Sequence, residues 1–309
     1  MNFGKVTDEE LAGVDFTLPP DGKQTLETLS GLTKSVSPEF YVGCAKWGRK
    51  EWVNMIYPPK AKAANFLDEY VKHFNSIELN AVFYSIPKPE LIKKWKDKAE
   101  ENAVNGFLFF PKISRGISHM KRLKDANAAT DRYLASIHEF GQYLGPCFLQ
   151  LADKFSPTSF DILEEYLSNL PTDFQLFVEV RHASWFSDVD ARTQLFEMLH
   201  RLKRGAVITD ASGRRDCVHM EMTVPEVFIR FVGNGSAHQA SDCARVDEWV
   251  LRLKNWLNKG LEKVYFFLHQ HDERDTPILA NYTIQQFNKH LGASLPEVNF
   301  IGKGGDITK

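Results

Sequence analysis

The feature that most narrows what this chain can become is an alternation. Eight short runs dense in β-branched and aromatic residues recur between longer stretches of helical period. The runs are Phe40–Ala45 (FYVGCA), Ser76–Tyr84 (SIELNAVFY), Phe107–Ile113 (FLFFPKI), Cys147–Leu151 (CFLQL), Gln175–Val180 (QLFVEV), Ala206–Thr209 (AVIT), Val227–Val232 (VFIRFV) and Val264–His269 (VYFFLH). Stretches such as PELIKKWKDKAEEN and CARVDEWVLRLKNWLNKG supply the long crossovers that parallel strands need. Only the connection after the sixth run, ASGRRDCVHMEMTVPE, carries no convincing helix. Eight such units in roughly 250 residues predict an α/β protein of the (β/α)8 TIM-barrel type. An open doubly wound sheet would place a glycine-rich phosphate turn after an early strand, whereas the first run leads into CAKWGRKEW.

The predicted organisation is an irregular N-terminal arm over residues 1–38, a single barrel domain over 39–292 and a tail over 293–309. With 309 residues, 43% of them hydrophobic, the chain can bury one large core. Lys and Arg number 38 against 40 Asp and Glu, so the whole molecule lacks the basic field of a dedicated nucleic-acid binder. Four widely spaced cysteines without a C-x-x-C pair argue against a disulfide framework and a zinc knuckle. No apolar run approaches the ~18 residues of a membrane span, and the start MNFGKVTDEELAG has no signal-peptide pattern. The expectation is a cytoplasmic protein that makes no membrane contact.

Barrel strands point alternate side chains inward, so polar residues can be sorted by parity. The inward set is expected to hold Glu78 and Asn80, Lys112, Gln150, Glu179 and Arg181, Asp210 (sharing a face with Ile208), Arg230 and His269. Seven strands thereby carry a polar group near the carboxyl end, where barrels of this fold place their active sites. A ligand pocket is the expectation; a buried ion-pair plug is the plain alternative.

Several stretches, namely GCAKW with EWVNMIYPP, HFNSIELNAVFYSIPKPELIKKW, FPKISRGISH, LGPCFLQL and VEVRHASWF, resemble in order and spacing the YecE-like family, domain of unknown function 72. The resemblance runs from about Phe40 to His290. It implies a barrel fold and brings no activity with it. Members usually show His-Gly at the end of the seventh strand and an Asn-rich end to the eighth. Here the text is FVGNG and FLHQHDE, so Val232 replaces a polar group, and His269 with Gln270 would compensate.

The constellations point to an enzyme or former enzyme, with hydrolase or lyase chemistry as the candidates, acting on a small anionic or phosphate-bearing ligand without cofactor or metal. Glu78, Glu179 and Asp210 would supply acid and base groups, while Lys112, Arg181, Arg230 and His269 neutralise charge. Asn80, Gln150, His182, Trp47 and Tyr84 complete the expected ligand contacts. One alternative is a glycoside hydrolase that pairs Glu78 with Glu179 and stacks sugars on Trp47, Trp52, Phe83, Tyr84 or Trp185. Another is a non-catalytic nucleic-acid or protein binding module. It would use the loop Lys112–Lys124, which carries Arg115, His119, Lys121 and Arg122 and otherwise reads as a solvated loop. GNGSAHQ after the seventh strand is a weak phosphate-loop signal. His269, His271 and Asp272 in HQHDE form no convincing metal set, and Cys44 and Cys147 fit packing better than nucleophilic catalysis.

Overall fold

The computed structural model describes residues 3–104 and 106–301. Eight parallel strands form one sheet: β1 Glu39–Cys44, β2 Ser76–Leu79, β3 Leu108–Pro111, β4 Cys147–Gln150, β5 Leu176–Glu179, β6 Gly205–Asp210, β7 Glu226–Gly233 and β8 Lys263–Gln270. Their spatial order, β3-β2-β1-β8-β7-β6-β5-β4, follows the chain around a nearly closed barrel. The gap between β3 and β4 is bridged at Phe109 with Leu144 and at Lys112 with Phe148. The barrel read from the alternation is therefore the barrel observed.

Strand parity separates two cores. Phe110, Phe148, Phe177, Val207, Phe228, Tyr265 and Phe267 fill the barrel interior, while Ile77, Leu149, Val178, Ile208, Ile229 and Phe266 pack outward with the helices. Five phenylalanines are too bulky for one layer unless some positions give way. Gly205 does so on β6, where a Cβ would lie 2.2 Å from the Phe177 ring.

The helices begin and end where the local chemistry allows. Asp188 accepts from the amides of Asp190 and Ala191 to start the helix Val189–Arg201, and Gly292, at φ 75°, ends Thr276–Leu291. The run expected as a strand over Ser76–Tyr84 stops at Leu79, and Ala81–Tyr84 turns into one helical turn. Its β-branched and aromatic composition loses to tertiary context: the turn carries Val82 into the outer core.

Between β6 and β7 the described residues hold a single three-residue 3-10 turn, Arg215–Cys217. The arm occupies the place a helix would take. Its helix Lys23–Leu29 packs against Val189–Arg201 and against the β6–β7 connection. Thr25 Oγ1 donates to the Met220 carbonyl at 2.7 Å and accepts from the Met222 amide at 2.6 Å, and Thr28 Oγ1 donates to the Met222 carbonyl at 2.8 Å. On the other flank, Asp21 accepts from Arg252 at 2.8 Å and from Trp256 at 3.0 Å on the helix Gln239–Asn258. No helix among the described residues is long and apolar enough to cross a membrane.

Candidate functional site

Beyond the aromatic layer the inward positions turn polar, and Arg230 on β7 is their hub. Its Nε and Nη2 fork onto the two Glu78 oxygens at 2.8 Å each, and Nη1 donates to Glu179 Oε2 at 2.7 Å. Arg181 Nε donates to the other Glu179 oxygen at 2.7 Å, and Asn80 Nδ2 donates to Glu78 Oε1 at 2.8 Å. His269 Nε2 stands 2.9 Å from Glu78 Oε2; a carboxylate only accepts, so this nitrogen carries the proton.

Burial pushes both carboxyls up, but the cations outweigh it. Arg230 and His269 hold Glu78 well below the usual carboxylate range, and Arg181, Arg230 and Lys112 hold Glu179 down at about 2. Arg230 is correspondingly raised, since its carboxylates more than offset its desolvation.

A cleft of about 390 Å³ opens above this layer. Of the residues expected from sequence, Asn80, Tyr84, Lys112, Gln150, Arg181, Arg230 and His269 line it. Glu78 and Glu179 do not: they lie beneath its floor, 0% and 2% exposed. Held by Arg230, Arg181, Asn80 and His269 beneath the cleft, these carboxyls are not placed to protonate a glycosidic oxygen in it.

Three expected site residues go elsewhere. Asp210 is the clearest correction: Gly205, Val207 and Thr209 form the inward face of β6, so Ile208 and Asp210 point outward to the helices. There its carboxylate accepts from Trp249 Nε1 and Arg245 Nη2, both at 2.7 Å, and pairs with Arg215. Burial raises Asp210, but Arg245 and Arg215 bring it below its ordinary value. Trp47 packs edge-on against Trp95, with centroids 5.4 Å apart, and His182 Nδ1 pairs with Ser184 Oγ at 2.6 Å. Neither lines the cleft. Trp52 and Trp185, considered as sugar platforms, are fully buried, with their indole N–H groups on the backbone carbonyls of Glu273, Arg274 and Phe155.

The cleft also takes residues the parity argument omitted: Lys46, Phe83, Arg115, His119 and Glu273. Lys46 and Glu273 follow β1 and β8 closely, so the rule that places sites on loops after strand ends would have found them. The basic loop divides. Arg115 and His119 face the cleft, whereas Lys121, Arg122 and Lys124 are exposed away from its lining. The loop contains a π-turn, Gly116–Met120, and positive φ angles at Arg122, Leu123 and Asp125. Non-glycine residues adopt that region at a cost of about 1–3 kcal/mol each, so packing fixes the loop shape.

Two cations in the cleft lack full partners. Arg181 Nη2 is buried without a hydrogen bond among the described residues, while the Phe3 ring of the arm stacks 3.9 Å from the guanidinium carbon. Lys112 Nζ donates to Gln150 Oε1 at 2.7 Å and lies 4.2 Å from the Phe83 centroid. Among the described residues no carboxylate stands within ion-pair distance of it.

Burial, with Arg230 adding repulsion, pushes the Lys112 amine from 10.5 down to about 7. Between those values the unfolded chain holds a proton that the folded chain has released, so stability rises with pH across that window. Lys112→Met removes the effect. The variant is expected to exceed the wild type by about 2–4 kcal/mol at pH 6, with the difference shrinking toward pH 10. Urea unfolding at both pH values checks this; a difference independent of pH would contradict it.

A (β/α)8 barrel with a buried arginine–glutamate layer under a cation-lined mouth is the class of protein that fold and site define. The chain belongs to the family described as "Protein of unknown function DUF72", whose model matches residues 41–299. It is similar to the UPF0759 protein YecE of Escherichia coli K12, with 27% identity over 279 residues covering 84% of this chain and 96% of that one. Among solved structures it is similar to a DUF72 family protein from Enterococcus faecalis, with a TM-score of 0.60 and 18% identity, covering 84% of this chain and 100% of that one. A DUF72 family protein from Thermotoga maritima gives a TM-score of 0.56 and 21% identity, covering 82% and 100%. At these identities the solved structures speak for the fold alone.

Proposed function

We propose that this barrel takes a small anionic ligand in the cleft at the carboxyl ends of its strands. One observation carries the reading. Glu78 and Glu179 are already saturated by Arg230, Arg181, Asn80 and His269, so the cleft lining has one carboxylate, Glu273, against several cations, of which Arg181 keeps a nitrogen without an acceptor and Lys112 has a neutral one only. A buried guanidinium N–H without an acceptor is costly, and a carboxylate or phosphate oxygen would satisfy it with a charge-assisted bond. Arg115 and Lys46 add positive charge at the rim.

The test is a thermal-shift and calorimetric comparison of phosphate, sulfate and small carboxylates with neutral sugars. A ligand that prefers the native state raises the melting temperature. Anions are expected to do so and neutral sugars are not. Arg181→Met should weaken anion binding about tenfold or more. It should cost only about 1.5–3 kcal/mol of stability, because Glu179 keeps its bond from Arg230. Binding of sugars but no anion, or full anion binding by the variant, would refute the reading.

A further inference from the structure

We propose that Lys112 is an amine nucleophile that condenses with the carbonyl group of a short anionic oxo compound held by Arg181. This rests on the anion-binding reading above and deepens it by naming the reacting group and the substrate class.

The geometry favours that chemistry over a point-charge role. Lys112 sits at the end of β3, pinned by its backbone bridge to Phe148, and is only 6% exposed. Its nitrogen meets one neutral acceptor, Gln150, and the rings of Phe83 at 4.2 Å and Phe148 at 5.7 Å. A lysine meant to stay charged in a buried place is normally given a carboxylate, and the two nearby glutamates are instead spent on the arginines. Desolvation together with Arg230 and Arg181 favours the neutral, nucleophilic amine, against the pull of Glu179 and Glu78. Arg181, in the same cleft, keeps a buried donor free to hold an anionic substituent next to the carbonyl.

The step balances within the site. The amine lone pair attacks the carbonyl carbon, the C=O π pair moves to oxygen, and one N–H proton passes to that oxygen to give the carbinolamine. A second proton, from water or from His119 on the same cleft wall, turns the hydroxyl into departing water and leaves a protonated imine on Lys112. Burial, then the positive charge of Lys112 and Arg181, lowers the His119 pKa.

Borohydride trapping tests this on the full chain. Pyruvate and glycolaldehyde phosphate serve as carboxylate and phosphate probes, acetone is the neutral control, and peptide mass mapping locates the label. One reduced adduct is expected on Lys112 with at least one anionic probe, with at least tenfold less from acetone. Which probe labels distinguishes an oxo acid from a phosphorylated aldehyde. Lys112→Arg should abolish the adduct, Lys121→Arg, at an exposed lysine away from the cleft lining, should retain it, and Arg181→Met should raise the probe concentration needed about tenfold. Label scattered over surface lysines, or no adduct from either probe, overturns the proposal. Phosphate or carboxylate still raising the melting temperature would confine that failure to the covalent step; if they too had no effect, the anion-binding reading would fall with it.

Discussion

Replacing Arg230 by methionine is expected to destabilise the protein by about 3–5 kcal/mol, more than any other single substitution in the barrel mouth. The reason lies in what the variant leaves behind. Arg230 supplies two bonds to Glu78 and one to Glu179, and these carboxylates are 0% and 2% exposed. Methionine resembles the arginine stem in volume but donates nothing, so at neutral pH two desolvated carboxylates face each other's field with only Arg181, Asn80 and His269 remaining. Both would take up protons more readily. The Glu179 carboxyl, now at about 2, would titrate much nearer the ordinary carboxylate range. Its lowered pKa contributes stability above about pH 4.5 that is lost as pH falls towards 2, and the variant should lack that share of the acid dependence. Urea unfolding at pH 7 and pH 4 reads both effects: the penalty should be large at pH 7 and smaller at pH 4. A uniformly small penalty would mean that water reaches the glutamates and that the layer is not the closed network described here.

This layer was legible in the sequence to an instructive degree. A period of two, applied to runs whose apolar members were obvious, assigned Glu78, Lys112, Gln150, Glu179, Arg230 and His269 to the inner face, where the structure has them with the phenylalanines. It failed on β6. In GAVITD the bulky Ile208 belongs to the outer core, and the inner face carries the small Gly205 and Val207 because large rings from other strands already fill that space. Parity fixes which residues share a face, but the choice of face depends on what the neighbouring strands contribute. A lone run does not hold that information. Asp210 was drawn to the wrong side by its charge. Only Arg215 among its partners is local; Arg245 and Trp249 lie on a helix more than 30 residues onward, and nothing in the run announces them. For the same reason the carboxylates looked like catalytic candidates: sequence shows that Glu78 and Glu179 share the mouth with arginines, but not that the arginines consume both.

The other large effect is expected from the arm, because a missing barrel helix makes a peripheral segment necessary. Deleting residues 1–38 should lower stability by about 3 kcal/mol or more. Leu11, Leu18 and Leu29 are each under 10% exposed, and burying a leucine contributes about 1.5–3 kcal/mol, part of which the ordering of the arm consumes. The polar side is harder to replace. Without Thr25 and Thr28, the Met220 and Met222 backbone groups lose partners in a buried connection that has no helix of its own. Thr25→Val isolates that contribution: it keeps the shape and removes one donor and one acceptor, for an expected loss of about 1–3 kcal/mol. Asp21 would likewise leave Trp256 and Arg252 on the neighbouring helix without their carboxylate. Urea midpoints for the full chain, the Thr25→Val variant and the shortened chain should fall in that order. A shortened chain that unfolds at the same urea concentration as the full one would mean that the barrel closes its β6–β7 side unaided. In that case the contact of Phe3 with Arg181 would be the arm's remaining tie to the site.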